Sequence, residues 1–591
     1  MLTLPQLLRI PNVDSGLRFS VSRDEKEVLF SWNKSGKWEL WRLEIGELET
    51  RELDASTGSA QRIRELVSEV VGSKFSPKHS PDGKHLAYVV DYDGSESYHI
   101  YLHNLHNGSI INLTPNSGYA HQPNFDFSPD GKQLAILSDE SGGFALYILD
   151  IEKNEKKLLL DIHRPIWDVA WSADGKYIAA EAESVASDRT IYVVEVKTKN
   201  YFQLQLNNEI LNAQHPVWSS DSKHLGFSCE NGEWHNIGLY DVESKKITWL
   251  TDSVGDDTQP TLSRSGEFIG WIHAEGAKTN FQFRQRGAEL HQVKVGDGVH
   301  SFPQIVNDEV ILIYEDANHP PDLWKINLEN RKAIQLTKSG EQDFNFAQPE
   351  EIFYEGVPTL LFRGKNNFAV IDIHGGPNWH VQNLWNPFVS EMLARGWNVL
   401  QPNYRGSTGY GKKWQNASRY DMGGVDADDC AAGVKYLIEN KIADKFVVTG
   451  RSHGGFLTMC CLINYPDLFV GGSAVVPFLN WTKSHTESRE DLQHWNIENM
   501  GDPETDKELW IKRSPYFFLD KVNAPVQMIC GGNDPRCPAS ESIDARDKLI
   551  ELGKEVELLL YKDEGHSFLK IENIIDAEVK RVEFLEKVLR T

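Results

Sequence analysis

The sequence has few cysteines, no long apolar run and no excess of basic residues, and each shortage excludes a class of protein. Its six cysteines among 591 residues form no C-x-x-C pair, which disfavours disulfides and zinc fingers and predicts reduced, buried thiols in a cytoplasmic protein. No apolar stretch reaches the length that spans a bilayer, and the first residues lack the basic start and apolar core of a signal peptide. We therefore expect no membrane partner.

The charge balance is strongly acidic. Lysine and arginine total 61 residues against 86 aspartates and glutamates, a formal net charge of −25. Such an excess of carboxylates repels nucleic acid and anionic surfaces and keeps a chain in solution. With 40% hydrophobic and 25% charged residues, the composition is otherwise that of an ordinary globular protein, and its length is sufficient for more than one domain. We expect no nucleic-acid partner.

The first half of the chain is a repeat. Short polar turns, most of them similar to Ser-x-Asp-Gly-Lys, each precede an apolar, strand-like run, and successive copies begin 43 to 58 residues apart. A period in the forties with several strands per unit is typical of a β-propeller, and seven units predict seven blades. A β-sandwich array is the alternative, which the regular period disfavours. The copies begin at Ser22, Ser80, Ser128, Ser172, Ser219, Ser263 and, in degenerate form, Val306.

From about residue 350, apolar strand-like runs alternate with helical patterns. Such alternation predicts a doubly wound, mostly parallel sheet with helices on both faces. We therefore expect a propeller over residues 1–345 and an α/β domain over residues 346–591, with the first fifteen or so residues packed on the second domain. Active sites of parallel sheets lie at the carboxyl ends of the strands, so motifs that follow strands are the candidates for catalysis.

One strand–turn–helix segment, Phe446–Phe456 (FVVTGRSHGGF), matches the G-x-S-x-G pattern of a nucleophile elbow. An apolar, β-branched run ends at Gly450, and Ser452 follows at the apex. A serine on so tight a turn needs neighbours without a Cβ, and the helix behind it favours developing negative charge. The pentapeptide alone does not separate a catalytic serine from an ordinary glycine-rich turn, so the motifs at the other strand ends decide.

A glycine-rich motif follows an earlier strand-like run. His374–Pro377 reads HGGP, and its glycines let backbone N–H groups approach a negatively charged oxygen. The residue after the nucleophile, His453, supplies a second backbone donor in such enzymes. We expect the N–H groups of Gly376 and His453 to form an oxyanion hole.

An acid and a base complete the set. Asp534 follows the apolar run that ends at Gly532, and His566 lies in a loop after the run that ends at Tyr561. The order Ser452, Asp534, His566 is that of an α/β-hydrolase triad, in which histidine takes the proton of the serine and the carboxylate fixes its tautomer. Taken alone, Asp534 is more often a turn aspartate and His566 a surface-loop histidine. Four motifs that occur in this order at four strand ends favour catalysis.

These motifs resemble those of the prolyl oligopeptidase family of serine peptidases, which pair a propeller with an α/β-hydrolase domain, and most of all its acylaminoacyl-peptidase branch. The similarity is close in the hydrolase half and only architectural in the propeller. It implies the triad and oxyanion hole given above. It also implies cleavage of short peptides, N-acylated ones included, in a cavity capped by the propeller. The segments that carry it are His374–Pro377, Asn403–Gly411, Gly450–Gly455, Gly501–Pro515, Asn533–Pro538 and Glu564–Phe568.

Several residues depart from the family pattern. His453 stands where tyrosine is more usual, and its side chain either adds charge or only lines the pocket; Cys537 replaces the usual valine. Members that remove N-terminal dipeptides hold the substrate amine with a Glu-Glu pair in the propeller, and no clear equivalent is visible, which disfavours that activity. His374, Arg405 and Arg536 are candidate substrate-binding residues, with structural ion pairs as an equal interpretation for the two arginines.

More than one function fits these motifs. The first is a serine peptidase acting on short peptides, and the second is an esterase or amidase on small acyl compounds, because the same triad serves both. The third is a propeller scaffold that keeps a weak hydrolase. No residues show a recognised metal-ligand spacing, so neither a metal nor another cofactor is predicted. The sequence leaves homo-oligomerisation and the choice between endo and exo cleavage open.

Overall fold

The computed structural model describes residues 2–45, 63–66, 69–115, 118–185, 188–340 and 344–591. Seven four-stranded antiparallel sheets come first in the chain, and one eight-stranded sheet with flanking helices follows. The seven-bladed β-propeller and the α/β-hydrolase domain that the sequence predicts are therefore confirmed.

Each blade of the propeller uses four strands that are consecutive in the chain, and a separate short hairpin, Gln205–Leu206 with Glu209–Ile210, follows the fourth blade. The strands of blades 1 to 7 are, in order, Ser20–Val21, Glu27–Trp32, Glu39–Glu44 and Ile63–Glu65; Ser73–His79, His85–Asp91, His99–Asn104 and Ile110–Asn112; Asp126–Phe127, Gln133–Ser138, Ala145–Asp150 and Glu155–Leu160; Ile166–Trp171, Tyr177–Glu183, Arg189–Glu195 and Tyr201–Gln203; Ala213–Trp218, His224–Asn231, Trp234–Asp241 and Lys246–Trp249; Asp257–Leu262, Phe268–Glu275, Lys278–Gln285 and Leu290–Val293; Val299–Val306, Glu309–Asp316, His319–Asn327 and Ala333–Gln335.

The repeated polar turn joins the first two strands of a blade. In blade 2 the hydroxyl of Ser80 donates to Asp82 over 2.6 Å and accepts from the N–H of His85 over 2.9 Å. The same serine–aspartate bond recurs in blades 3, 4 and 5. Because the turn satisfies its own polar groups, it can recur at the same place in successive blades.

The ring is closed by side-chain packing between blades 1 and 7. Val28 and Phe30 of blade 1 lie in one buried cluster with Ile311, Ile313 and Leu323 of blade 7. Burial of apolar surface therefore helps to hold the first and last blades together. Val13 adds a backbone link, because it forms a β-bridge with Trp32 of blade 1 and donates its N–H to the carbonyl oxygen of Pro321 of blade 7 over 3.0 Å.

The second domain is built on an eight-stranded sheet. Its strands, in chain order, are Glu350–Tyr354 (β1), Val357–Phe362 (β2), Phe368–Ile373 (β3), Asn398–Pro402 (β4), Lys445–Arg451 (β5), Gly472–Val475 (β6), Val526–Gly531 (β7) and Val556–Tyr561 (β8). They lie side by side in the order β1-β2-β4-β3-β5-β6-β7-β8. Pairing is parallel from β4 to β8, whereas β1 and β2 form an antiparallel edge that the sequence patterns did not predict.

Helices cover both faces of this sheet. They are Leu4–Leu8 (α1), Pro387–Ala394 (α2), Lys412–Gln415 (α3), Val425–Glu439 (α4), His453–Asn464 (α5), Trp481–Glu487 (α6), Glu490–Met500 (α7), Lys507–Lys512 (α8), Ala539–Glu551 (α9) and Ile571–Arg590 (α10), with a 3₁₀ turn at Pro515–Lys521. The N-terminal α1 packs on α2 and α10, and Leu4 shares an apolar cluster with Phe388 and Leu585. In the described part of the chain, no helix is long and apolar enough to cross a bilayer.

Candidate active site

Strand β5 brings Ser452 to the apex of a sharp turn into α5. Ser452 has φ 59° and ψ −121°, a strained conformation that a nucleophile elbow imposes. The flanking glycines are a steric requirement. A Cβ on Gly450 would lie 2.5 Å from the carbonyl oxygens of Gly454 and Ile373, and a Cβ on Gly454 would overlap the same oxygen of Ile373.

The loop after β3 passes directly over this serine. A Cβ on Gly375 would lie 3.2 Å from the Cβ of Ser452, and Gly376, with φ +126°, lines the same cavity as Ser452 and His453. Because His453 is the first residue of α5, its backbone N–H has no acceptor within the helix and lies at the positive end of the helix dipole. The arrangement suits two backbone donors that converge on an oxyanion.

Asp534 and His566 meet beyond the carboxyl ends of β7 and β8. His566 Nδ1 lies 2.8 Å from Asp534 Oδ2, and each residue is 7% exposed. The other carboxylate oxygen of Asp534 accepts the N–H groups of Arg536 and Cys537, each over 2.8 Å. With Nδ1 held by the carboxylate, Nε2 is the nitrogen left to take a proton from a hydroxyl.

Two side chains without a role in the sequence prediction shape the loop that carries His566. The buried carboxylate of Glu564 accepts the N–H groups of Leu569 (2.7 Å) and Lys570 (3.1 Å). Arg451 Nη1 donates to the carbonyl oxygen of His566 over 3.2 Å. The backbone at the histidine and just after it is therefore held by charge-assisted hydrogen bonds.

Ser452 opens into a cavity of about 550 Å³ between the two domains. The hydrolase side of the wall contains the aromatic side chains Phe478, Trp481 and Trp495, and the side formed by blades 4 and 5 is mostly polar. His453 lines this wall, but its side chain is buried, with Nε2 3.2 Å from Asp426 Oδ2. A substrate in the cavity would touch both domains.

Blades 4 and 5 place four carboxylates on the cavity wall. These carboxylates do not each have a cation of their own. Arg189 contacts Glu181 over 3.0 Å, whereas a single amine, that of Lys412, contacts both Glu230 and Asp188. Oδ1 of Asp188 is buried without a hydrogen-bond partner within the described residues. Burial and the nearby carboxylate of Glu230 raise the pKa of Asp188. The four residues are Glu181, Glu183, Asp188 and Glu230.

No sequence motif contains all four carboxylates. Glu181, Glu183 and Glu230 lie on strands of two blades, and Asp188 lies just before a strand. Glu181 and Glu183 do leave one signal, because they occupy alternating positions of a strand that is otherwise apolar. Residues two apart on a strand share one face, and two acids on one face of such a strand indicate a polar site.

The three predicted substrate-binding residues differ in their placement. Arg536 lies on the cavity wall, with Nε 2.9 Å from Glu96 of blade 2. Arg405 is away from the wall, because its guanidinium binds Asp429 through Nε (3.0 Å) and Nη2 (2.6 Å); it forms the structural ion pair that the sequence left as the alternative. His374 lies behind the glycine loop, stacked on a buried tyrosine, and burial lowers its pKa to about 3.

One set of potential metal ligands exists among the described residues. The ligand atoms of Asp534, Cys537 and His566 all lie within 4.8 Å of one another. No sequence spacing revealed this set, since its histidine comes from a different loop. It overlaps the acid–base pair and is therefore part of the same site.

Comparison with protein families agrees with the division into two halves. Residues 381–591 match the model of the prolyl oligopeptidase family, and residues 49–159 match that of a TolB β-propeller domain.

Two curated relatives and one solved structure extend the similarity to most of the chain. Dipeptidyl aminopeptidase BIII of Pseudoxanthomonas mexicana is 32% identical over 83% of this chain and 76% of its own length. Acylamino-acid-releasing enzyme 2 of Oryza sativa subsp. japonica is 30% identical over 77% of this chain, which spans only 57% of the rice protein. A puromycin-hydrolyzing peptidase of Mycobacterium tuberculosis superposes with a TM-score of 0.84 at 17% identity, covering 100% of this chain and 96% of the other, and so shares the fold.

Proposed function

The chain belongs to the prolyl oligopeptidase family of serine peptidases, and from this premise we propose that it cleaves short peptides near their amino terminus through an acyl-enzyme on Ser452. The observation that carries the proposal is the cavity between the domains, which joins the strained serine to carboxylates of the propeller. The hydrolase wall would hold the scissile bond, and the propeller wall would hold the end of the peptide.

The residues around the serine suggest the roles in each step. Ser452 Oγ attacks the scissile carbonyl carbon while His566 Nε2 takes its proton, and Asp534 holds the imidazole in the correct tautomer. The N–H groups of Gly376 and His453 stabilise the oxyanion. The protonated histidine then gives its proton to the leaving amine, and a water activated by the same nitrogen hydrolyses the acyl-enzyme.

The propeller carboxylates favour a substrate with a free amino terminus. Among the described residues, only two permanent cations, Arg189 and Lys412, form ion pairs with these four carboxylates. An ammonium group is attracted to such an excess of negative charge, and enclosure between two domains strengthens the attraction. The sequence disfavoured release of N-terminal dipeptides because no Glu-Glu pair was visible, and these carboxylates are the reason to propose the free amine.

Release of an N-acylated residue is the second candidate, and the 30% identity to the acylamino-acid-releasing enzyme of rice favours it. An acyl group carries no charge, so it would gain nothing from the propeller carboxylates. The two candidates therefore differ in how they depend on Asp188. We further propose a cytoplasmic location, which the six unpaired, buried cysteines support.

The test uses matched pairs of chromogenic substrates, one with a free and one with an acetylated amino terminus. Asp188→Asn should lower kcat/KM for the free substrate by ~10-fold or more, the scale of a lost charge-assisted contact, and leave the acetylated one unchanged. Glu195→Gln, at the far end of the strand after Asp188, is the control. No loss on the free substrate in Asp188→Asn, or better cleavage of the acetylated member by the unaltered enzyme, would favour the second candidate.

A further inference from the structure

We propose that the active site contains an inhibitory binding site for a thiophilic divalent cation such as Zn²⁺, formed by Cys537 Sγ and His566 Nε2 and completed by Ser452 Oγ. The inhibition rests on the proposed catalytic roles of Ser452 and His566, whereas the binding of the cation rests only on the placement of the side chains.

One carboxylate holds the two main ligands in place. Asp534 Oδ2 lies 2.8 Å from His566 Nδ1, and Oδ1 of the same group accepts the backbone N–H of Cys537 over 2.8 Å. One ligand atom from each of the three residues lies within 4.8 Å of those from the other two, so the imidazole ring lies close to the sulfur. A carboxylate that binds the far nitrogen of a histidine is the usual support of a zinc-bound imidazole, because it fixes the ring and leaves the other nitrogen to the metal.

Cys537 is also accessible from the cavity. It lies on the same cavity wall as Ser452, the proposed nucleophile. Of the six cysteines, all of them buried, it is the one on that wall. A cation that enters with solvent would therefore reach the sulfur of Cys537 on the wall it shares with Ser452, and the imidazole of His566 lies close to that sulfur.

The donor set fits zinc better than the hard cations. Zn²⁺ prefers tetrahedral coordination by thiolate and imidazole, with water or another oxygen in the remaining positions. Binding of the cation displaces the proton of the Cys537 thiol to solvent as the metal–sulfur bond forms.

A bound cation would stop catalysis directly. His566 Nε2 cannot accept the proton of Ser452 while its lone pair is bound to a metal, so the serine is not activated. A chelator should restore activity and should not lower it in metal-free enzyme. The site therefore differs from a catalytic zinc centre, whose removal abolishes the reaction.

The first experiment measures inhibition of peptide hydrolysis by ZnCl₂, with each variant compared with its own metal-free rate. Cys537→Val, which restores the residue usual in the family, should raise the half-inhibitory zinc concentration at least tenfold, as expected for loss of one of two strong ligands. Cys537→Ser gives a second variant of nearly the same size. The control is Cys530→Val, a buried thiol of β7 away from the cavity wall, which should respond as the unaltered enzyme does.

The second experiment detects binding without relying on activity. CdCl₂ is titrated into Ser452→Ala protein, and the ultraviolet charge-transfer absorption of a cadmium–thiolate bond is followed. Saturable absorption in Ser452→Ala that is absent from Ser452→Ala/Cys537→Ser supports the site even if the proposed peptidase function fails. Zinc inhibition that persists unchanged in both Cys537 variants, or cadmium–thiolate absorption that survives their substitution, would overturn the proposal.

Discussion

Gly94 of blade 2 lies against Gly565, the residue before His566: a Cβ on Gly565 would overlap the carbonyl oxygen of Gly94. The same turn of blade 2 also touches the loop of Asp534, the proposed catalytic acid, since Asn533 Nδ2 donates to the carbonyl oxygen of Asp93 over 3.2 Å. The docking of the propeller and the position of the proposed base are therefore linked through one backbone contact.

We predict that Gly565→Ala lowers kcat for short peptides by ~100-fold or more, because a methyl group there pushes the His566 loop away from blade 2 and misplaces the base. Thermal unfolding should change much less than activity. Gly143→Ala is the control, since a Cβ on Gly143 would meet no atom within 4 Å. Near-normal kcat in Gly565→Ala would mean that the loop tolerates displacement and that the contact serves packing alone.

The proposed triad is tested by single substitutions of its members. Ser452→Ala, Asp534→Asn and His566→Ala should each lower kcat by ~10³-fold or more, since the three groups act as one unit. Folding, followed by circular dichroism and thermal unfolding, should persist in Ser452→Ala. Labelling by a fluorophosphonate should occur in the unaltered enzyme and disappear with Ser452→Ala. Substantial activity in Asp534→Asn would assign the orientation of His566 to another group.

A buried carboxyl behind the cavity should make stability depend on pH. Glu541 of α9 accepts the N–H groups of Leu479 and Asn480, each over 2.7 Å, and burial raises its pKa to about 7. Since this folded-state pKa lies above the unfolded value of about 4.5, the unfolded chain binds fewer protons between these limits. The contribution of Glu541 to stability is thus greatest below pH ~4.5 and declines as pH rises towards ~7.

Glu541→Gln removes that dependence. Relative to the unaltered protein, the variant should gain stability between pH 5 and 8, by up to about 3 kcal/mol at the upper end. Urea unfolding at several pH values measures the difference. Glu551→Gln, an exposed residue at the end of the same helix, is the control and should give a constant offset. A stability difference between Glu541→Gln and the unaltered protein that does not change with pH would show that Glu541 keeps an ordinary pKa in the folded state.

The position of the serine in a cavity between the domains predicts a limit on substrate size. Peptides of rising length should show a steep fall in kcat/KM beyond roughly 30 residues, and a folded protein should resist cleavage, because long or structured chains do not fit an enclosed site. Mass spectrometry of timed digests measures both. Rapid digestion of the folded protein would indicate an open site and a general endopeptidase.

The sequence alone predicted features that depend on local or repeated patterns. The blade turns are visible because Ser80 and Asp82, like their equivalents, lie two residues apart and bond to each other. The elbow around Ser452 is visible because its backbone conformation demands glycine at fixed neighbouring positions. The seven blades and the mostly parallel sheet follow from periodicity in the same way, whereas the edge strands β1 and β2 were missed because a short hairpin lacks the alternation with helices.

Only the tertiary structure decided which residues face the serine across the cavity. Arg536 and Glu96, which pair over 2.9 Å, are 440 residues apart in the chain, and the carboxylates Asp188 and Glu230 share Lys412 although they lie in different blades. It also decided that Arg405 binds Asp429 instead of the cavity and that Cys537 meets His566. Hydrogen-bonded turns leave a signature at fixed sequence spacing because their partners are near neighbours. Contacts between distant segments, within one domain or between the two, depend on how the folded chain packs, which no local pattern records.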